Sequence, residues 1–341
     1  MIGAFSRRLR AVSLPGFAHS VLPGPHGLLV VPTDNRRWLY TLDPISFDIV
    51  AHVSVPETGH GFGGHAAEIP GQDAFAVSVN GNEIGKFGRV SIRDRRTLRE
   101  LASVPSFGFE AHDLRVSADG KHLYVGHYGS FFGSGPYQSF TQLKIDHVRS
   151  QRQAYVVEPK GKIYPACISV VELASGKLLD RLSSVNSGPH CHFALDGEGR
   201  VYLTYEPSKL ENRPDTMTNP AFAEGDRGPE TLGEFAQHMK AGFGTAIAFD
   251  PREREVLIPE RWTEVVNHFP ESDPDHFRKQ DLRASLPSMN QSHGLAFHPD
   301  GKHYVVTGSN YVAYVERGTH RVVPDLSFPA KLFVHAHTSV G

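Results

Sequence analysis

"HDLRVSADGKHLYVG", residues 112–126, decides the fold. A histidine opens a short run of alternating apolar and polar residues, an acidic turn ends in glycine, and a second alternating run leads away. Period-two alternation is the mark of a half-buried strand, and Asp119-Gly120 supplies the tight turn between two such strands. The same order returns in "HFALDGEGRVYLTY" (192–205) and "HGLAFHPDGKHYVVTG" (293–308). "HAAEIPGQDAFAVSV" (65–79) carries a degraded turn, and "HSVLPGPHGLLVVP" (19–32) a Pro-Gly one.

Each unit runs on into a second hairpin: "LYTLDPISFDIVAHVSV" (39–55), "VSIRDRRTLRELASV" (90–104), "ISVVELASGKLLDRLSSV" (168–185), "AIAFDPREREVLIPERW" (246–262) and "VAYVERGTHRVVPDLSF" (312–328). Four short strands per unit, repeating at roughly 45 residues where uninterrupted, is the pattern of propeller blades. The 33 glycines and 24 prolines supply the turns this requires. The chain therefore reads as an all-β protein, a single β-propeller domain over 1–341. Five or six four-stranded blades fit best, and seven remain possible. "FSRRLRAVSLPGFAH" (5–19) and "KLFVHAHTSVG" (331–341) are read as strands of a closing blade shared by the termini.

The units are unevenly spaced, and the excess falls in three insertions at 130–163, 207–243 and 263–292. "GPETLGEFAQHMKAG" (228–242) and "DPDHFRKQDLRASL" (273–286) read as short helices within the last two. Strands alternate in direction between the two faces of a propeller. Loops after second strands and between blades thus emerge where the inner strands begin, so all three insertions are expected to roof that end of the channel.

The histidines then become a constellation. His19, His65, His112, His192 and His293 each open an inner strand, and His337 (or His335) joins from the closing blade. Buried imidazoles need partners for a donor and an acceptor. A transition metal resolves several at once, since imidazole nitrogen suits iron, copper, zinc and nickel. Glu110, Asp113, Glu68 and Glu206 are candidates to orient the ligands. His60 and His190 fall outside the register as rim positions, and Tyr128 and Tyr205 end second strands below the insertions. The glycines before His65 read as a crossing between blades. Cys191 points away from its neighbour His192 by alternation, against a Cys–His nucleophile pair.

Other classes are excluded by what is missing. A net charge of −2 offers no field for nucleic acid or anionic membranes, and no apolar run approaches the ~20 residues of a span. Two cysteines make no disulfide framework. The first residues lack an apolar export segment, so the cytoplasm is expected, or the periplasm if the sequence is a trimmed mature chain. No nucleophile elbow, phosphate-binding loop or HExxH helix is present.

"GHGFGGHAAEI", "FGRVSIRDRRTL", "EAHDLRVSADGKHLYVGHYGS", "ISVVELASGKLLDRL" and "HCHFALDGEGRVYLTYEP" resemble successive blades of an uncharacterised bacterial β-propeller family. That family is usually exported, is associated with iron-uptake loci, and lies within the wider YVTN- and lactonase-like group. The likeness covers residues 57–206, with a weaker echo at 288–325. It implies the propeller and the histidine positions, and it carries no established reaction.

The expectation is a metal-dependent enzyme, an oxidoreductase or oxygenase with iron first and copper next. The ligands would come from His19, His65, His112, His192, His293 and His337, and a small-molecule substrate would bind beneath the insertions. His112, His293, Glu110 and Tyr128 are the catalytic candidates. The alternatives are a lyase or hydrolase using His112 or His293 as general base, or a non-catalytic propeller that binds metal or a partner.

Overall fold

The computed structural model describes Leu14 and residues 18–329, apart from 33–36, 58–59, 82–87, 109–110, 128–166, 184–190, 206–220, 224–228, 232–245, 261–263, 274–276, 287–291 and 309. Among these residues the structure is all-β, a β-propeller whose strands form six four-stranded antiparallel sheets.

Blade one comprises β1 (Ala18–Gly24), β2 (Gly27–Pro32), β3 (Trp38–Leu42) and β4 (Ile49–Ser54). Blade two comprises β5 (His60–Glu68), β6 (Ala74–Gly81), β7 (Arg89–Asp94) and β8 (Glu100–Pro105). Blade three is β9 (Ala111–Val116), β10 (His122–His127), β11 (Cys167–Glu172) and β12 (Leu178–Ser183). Blade four is β13 (Cys191–Leu195), β14 (Val201–Tyr205), β15 (Ala221–Ala223) and β16 (Pro229–Thr231). Blade five is β17 (Ala248–Asp250), β18 (Glu255–Pro259), β19 (Val265–Pro270) and β20 (Arg278–Asp281). Blade six is β21 (Ser292–Phe297), β22 (His303–Gly308), β23 (Tyr311–Glu316) and β24 (Phe328–Pro329). Each blade pairs its strands in chain order.

Alternation buries both faces of the inner strands, and the core is a series of apolar seams between neighbouring blades. Leu22, Leu29 and Leu39 of blade one meet Phe62, Phe75 and Val77 of blade two. Ala76 and Val90 meet Leu114, Leu123 and Val125 across the next seam. Ile168 and Leu182 pack on Phe193 and Val201, and Ala194 and Tyr202 on Val256, Ile258 and Phe269. Leu257 and Val266 close on Tyr304, Val306 and Val315. Sheets packed face to face in this way hold the inner strands, and what they carry, in fixed mutual positions. The turn glycines Gly120 and Gly301 adopt φ of +72° and +66°, the left-handed region in which glycine meets no steric penalty.

The sequence reading differs from the structure in the second half of the chain. "AIAFDPREREVLIPERW" does not complete the unit begun at His192; it forms β17 and β18, the first hairpin of a separate blade. Residues 207–243 contain β15 and β16, the outer strands of blade four, so this stretch is in part blade and not insertion. Residues 263–292 hold β19 and β20, followed by one 3₁₀ turn at Leu282–Ala284. The helix expected over 273–286 is therefore absent: Arg278–Asp281 pairs with β19 and donates to its ladder. The short polar run has helix-forming composition, but an adjacent strand edge overrides it. Residues 130–163, most of "GPETLGEFAQHMKAG" and 331–341 lie outside the described residues, as does 5–19 apart from Leu14 and from Ala18 and His19, which belong to β1 of blade one. Among the described residues no helix is long and apolar enough to cross a membrane.

Candidate metal centre

The histidines are placed by irregularities in otherwise regular strands. In β1 the pairing shifts between Ala18 and Ser20, leaving His19 as an extra residue. In β5 the shift lies between Phe62 and Ala66 and spans Gly63, Gly64 and His65. In β9, Ala111 pairs with His127 and Leu114 with Val125, so His112 and Asp113 share one partner position. β21 slips between Ser292 and Gly294, at His293. β13 alone keeps an even register past His192. A bulge turns side chains out of strict alternation and re-aims them, which is how His112 and its direct neighbour Asp113 both reach one cluster.

The result is a packed group of four imidazoles from four blades. His19, His65, His112 and His192 are all buried. Ring centroids lie 4.7 Å apart for His19–His65, 4.6 Å for His65–His112 and 5.0 Å for His112–His192, all edge to face. Two triads bring one ligand atom each within 4.8 Å of the others: His19, His65 and His112, and His65, Asp113 and His192.

Their polar neighbours have a consistent arrangement. His112 donates from Nδ1 to the Gly63 carbonyl at 2.8 Å. The Asp113 carboxylate reaches His65 Nδ1 at 3.6 Å through one oxygen and His192 Nδ1 at 3.5 Å through the other. Three imidazoles thus turn Nδ1 toward an oxygen, as outer-shell acceptors do for metal-binding histidines, and His112 presents its Nε2 to His19. His112 Nε2 lies 3.4 Å from His19 Nε2. Two nitrogens on one tetrahedral metal, each at about 2.05 Å, are separated by about 3.3 Å. The spacing therefore fits a shared ion.

Asp113 is fully buried and also accepts from Arg115 Nη1 at 2.6 Å and from the Phe193 amide at 3.3 Å. Burial alone would raise its pKa; the Arg115 guanidinium, with His65 and His192, outweighs this and holds the carboxyl below its ordinary range. His65 is pulled down to about 3, chiefly by burial, against the opposing pull of Asp113 and with His192 and Arg115 adding to the fall. It is therefore neutral near pH 7, the form that binds a metal.

The support is equally specific. Asn80 clamps the start of β9, its amide nitrogen donating to the Ala111 carbonyl at 2.8 Å and its oxygen accepting from the Ala111 amide at 3.0 Å. Ser20 Oγ donates to the Gly64 carbonyl at 2.6 Å. Gly64 has φ of +109°, and a Cβ there would stand 2.7 Å from His19 Cδ2 and 3.3 Å from His112 Cε1. At Gly63 a Cβ would lie 2.4 Å from the Ala111 carbonyl oxygen of the next blade. These glycines are not a crossing between blades; they form the bulge inside β5 over which the imidazoles pack.

Four of the six histidines expected as ligands are thus brought together. The backbone at His293 carries the bulge, but its side chain, like those of Tyr205 and Cys191, lies outside the described residues. Glu110, Tyr128, His190, Glu206, His335 and His337 lie outside them altogether. Glu68 does not orient a ligand: it sits exposed at the far end of β5, about 10 Å along the strand from His65 at ~3.3 Å per residue. His60 is half-buried at the start of β5, opposite Gly81, away from the bulge. The carboxylate that reaches the histidines is Asp113. The sequence also hid blade five, because "TAIAFDPREREVL" (245–257) matches "HGLAFHPDGKHYV" (293–305) place for place but has Thr245 where His293 stands. The Phe-x-Pro shared by the two stretches was the available signal.

Compared with known proteins, the chain matches no family model and no curated protein.

Proposed function

We propose that this propeller is a metalloprotein whose axial cluster binds one transition-metal ion, iron or copper, and that it acts as an oxidoreductase or oxygenase on a small organic molecule. The reading rests on one observation above all: His19 and His112 face each other through Nε2 at 3.4 Å while His112 Nδ1 is fixed on the Gly63 carbonyl. His65 and His192 complete the ligand set, and Asp113 orients both. A bound iron or copper ion would supply redox chemistry or polarise a substrate oxygen. The protein's own part is to hold imidazoles at fixed spacing on four separate blades and to keep bulk water out.

A second reading, a metal-binding propeller without catalysis, is favoured by the depth of the cluster. The side chains of His65 and His192 are 3% and 5% exposed. Metal content of the full chain, purified after growth with iron and copper present, tests the shared premise. About one ion per chain, lost in the His65→Ala/His112→Ala double variant while circular dichroism stays unchanged, is the expected result. A folded wild-type chain that takes up neither ion overturns both readings. Azide then separates them. A spectral shift of the bound ion marks a coordination position open to small molecules, and none marks a closed centre.

A further inference from the structure

A second group of metal-ligand side chains lies between blades five and six. Glu255 opens β18, His268 lies in β19, and His320 follows β23 in the turn toward β24. One ligand atom from each falls within 4.8 Å of the others. Strands alternate in direction, so these positions lie on the face opposite the starts of the inner strands, and therefore opposite the axial cluster.

The neighbours constrain where the protons sit here, and Tyr304 Oη also lies 3.5 Å from His268 Nε2. Gln280 donates its amide nitrogen to the His320 carbonyl, which makes its Oε1 the acceptor. That oxygen accepts the Tyr304 hydroxyl at 2.7 Å and His268 Nε2–H at 3.1 Å. A neutral imidazole that donates from Nε2 carries its lone pair on Nδ1. His268 Nδ1 faces Glu255 Oε1 at 3.4 Å. His320 Nε2 accepts from Arg278 Nη2 at 2.9 Å and lies 3.5 Å from the same Glu255 oxygen, so a metal ion here would take over the lone pair that Arg278 now engages. Arg278 Nη2 reaches the other Glu255 oxygen at 3.0 Å, but it bonds neither Oε1 nor His268 Nδ1. Two acceptors are left facing each other in a site where Glu255 and His268 are 3% and 1% exposed. A cation between them, either a metal ion or a second proton on His268, relieves the repulsion.

We infer that Glu255, His268 and His320 form a second site, for a divalent metal ion of the zinc class, with a coordination position left open toward the exposed Arg278 side chain. Tetrahedral zinc with ligands at about 2.05 Å sets them about 3.3 Å apart, beside the 3.4 and 3.5 Å found here. Two histidines and one carboxylate are an established zinc donor set. Gln280, with Tyr304 behind it, holds the His268 tautomer as an outer-shell acceptor does. Arg278 stands at the mouth as a displaceable positive charge.

Cobalt(II) titration of the full chain, read by its visible absorption, tests this apart from the axial centre. His320→Asn is the variant of choice, because His320 has φ of +54° and asparagine tolerates that conformation. Expected is the loss of one cobalt equivalent relative to wild type, whether or not the axial cluster also binds. Arg278→Ala, which removes a competing positive charge, should keep that equivalent and tighten it at least about tenfold. Equal stoichiometry and affinity in wild type and folded His320→Asn would overturn the proposal. So would a wild-type chain that binds no cobalt; His268 would then carry a second proton shared with Glu255.

Discussion

His127 offers a test of the fold's interior that does not touch either metal cluster. It ends β10, is fully buried, and bonds Ser169 Oγ through Nε2 at 3.1 Å. Burial is the main cause that pulls its pKa from 6.5 to about 3. The folded chain therefore leaves this ring neutral down to about pH 3, whereas the unfolded chain protonates it below about 6.5. Between those values the unfolded state holds more protons, so the contribution of His127 to stability is present above pH 6.5 and is lost as pH falls. The limiting slope is about 1.36 kcal/mol per pH unit. From pH 6.5 to 4.5 the two binding curves integrate to about 2 kcal/mol, and the full gap to roughly 5 kcal/mol. His127→Gln removes the titration and keeps a donor for Ser169. Urea unfolding of both proteins in steps from pH 7 to 4.5 gives the comparison. Other titrating groups cancel in the difference, and repacking around the new side chain shifts the whole curve without changing its slope. The variant should lose about 2 kcal/mol less than wild type over that range. Parallel curves would refute the reasoning, because they would mean that His127 is charged in the folded chain or reaches water.

Three further outcomes follow from the geometry of the axial cluster. Gly64→Ala forces a side chain into φ of +109° and places its methyl 2.7 Å from His19 Cδ2. It should cost ~1–3 kcal/mol in thermal or urea unfolding and weaken metal uptake at least about tenfold by displacing the ring, since ligand distances tolerate only ~0.2 Å. Asp113→Asn removes the carboxylate that His65 and His192 share, and should lower metal affinity by about 10–100-fold in a competition assay; an unchanged affinity would remove Asp113 from the site. Asn80→Ala leaves the Ala111 amide and carbonyl without their side-chain partners. It should destabilise the chain by ~2–4 kcal/mol, and a well-folded variant within a few tenths of wild type would show that the clamp is dispensable.

Much of the architecture was legible in the chain. Alternation, turn glycines and a recurring histidine define blades one, two, three and six and the first hairpin of blade four, because side-chain period and turn chemistry are local properties. Blade five is hidden in the chain because Thr245 stands where the other units carry the histidine. Its outer strand, Arg278–Asp281, has the composition of a helix and becomes a strand only because β19 offers an unpaired edge. The histidines were legible as a set because they recur at one place in the repeat, although His65 lies inside β5 and does not open it. What the tertiary structure alone decided is how they face. The bulges at His19, His65 and His112 depend on pairing with a partner strand, and they bring the three rings together. They also put Asp113, which alternation would turn away from His112, between His65 and His192. The group at Glu255, His268 and His320 could not be read from the chain, because its members come from two blades and carry no common spacing. Sequence determines which side chains are available at each strand position; only the packing of one blade against the next decides which of them meet.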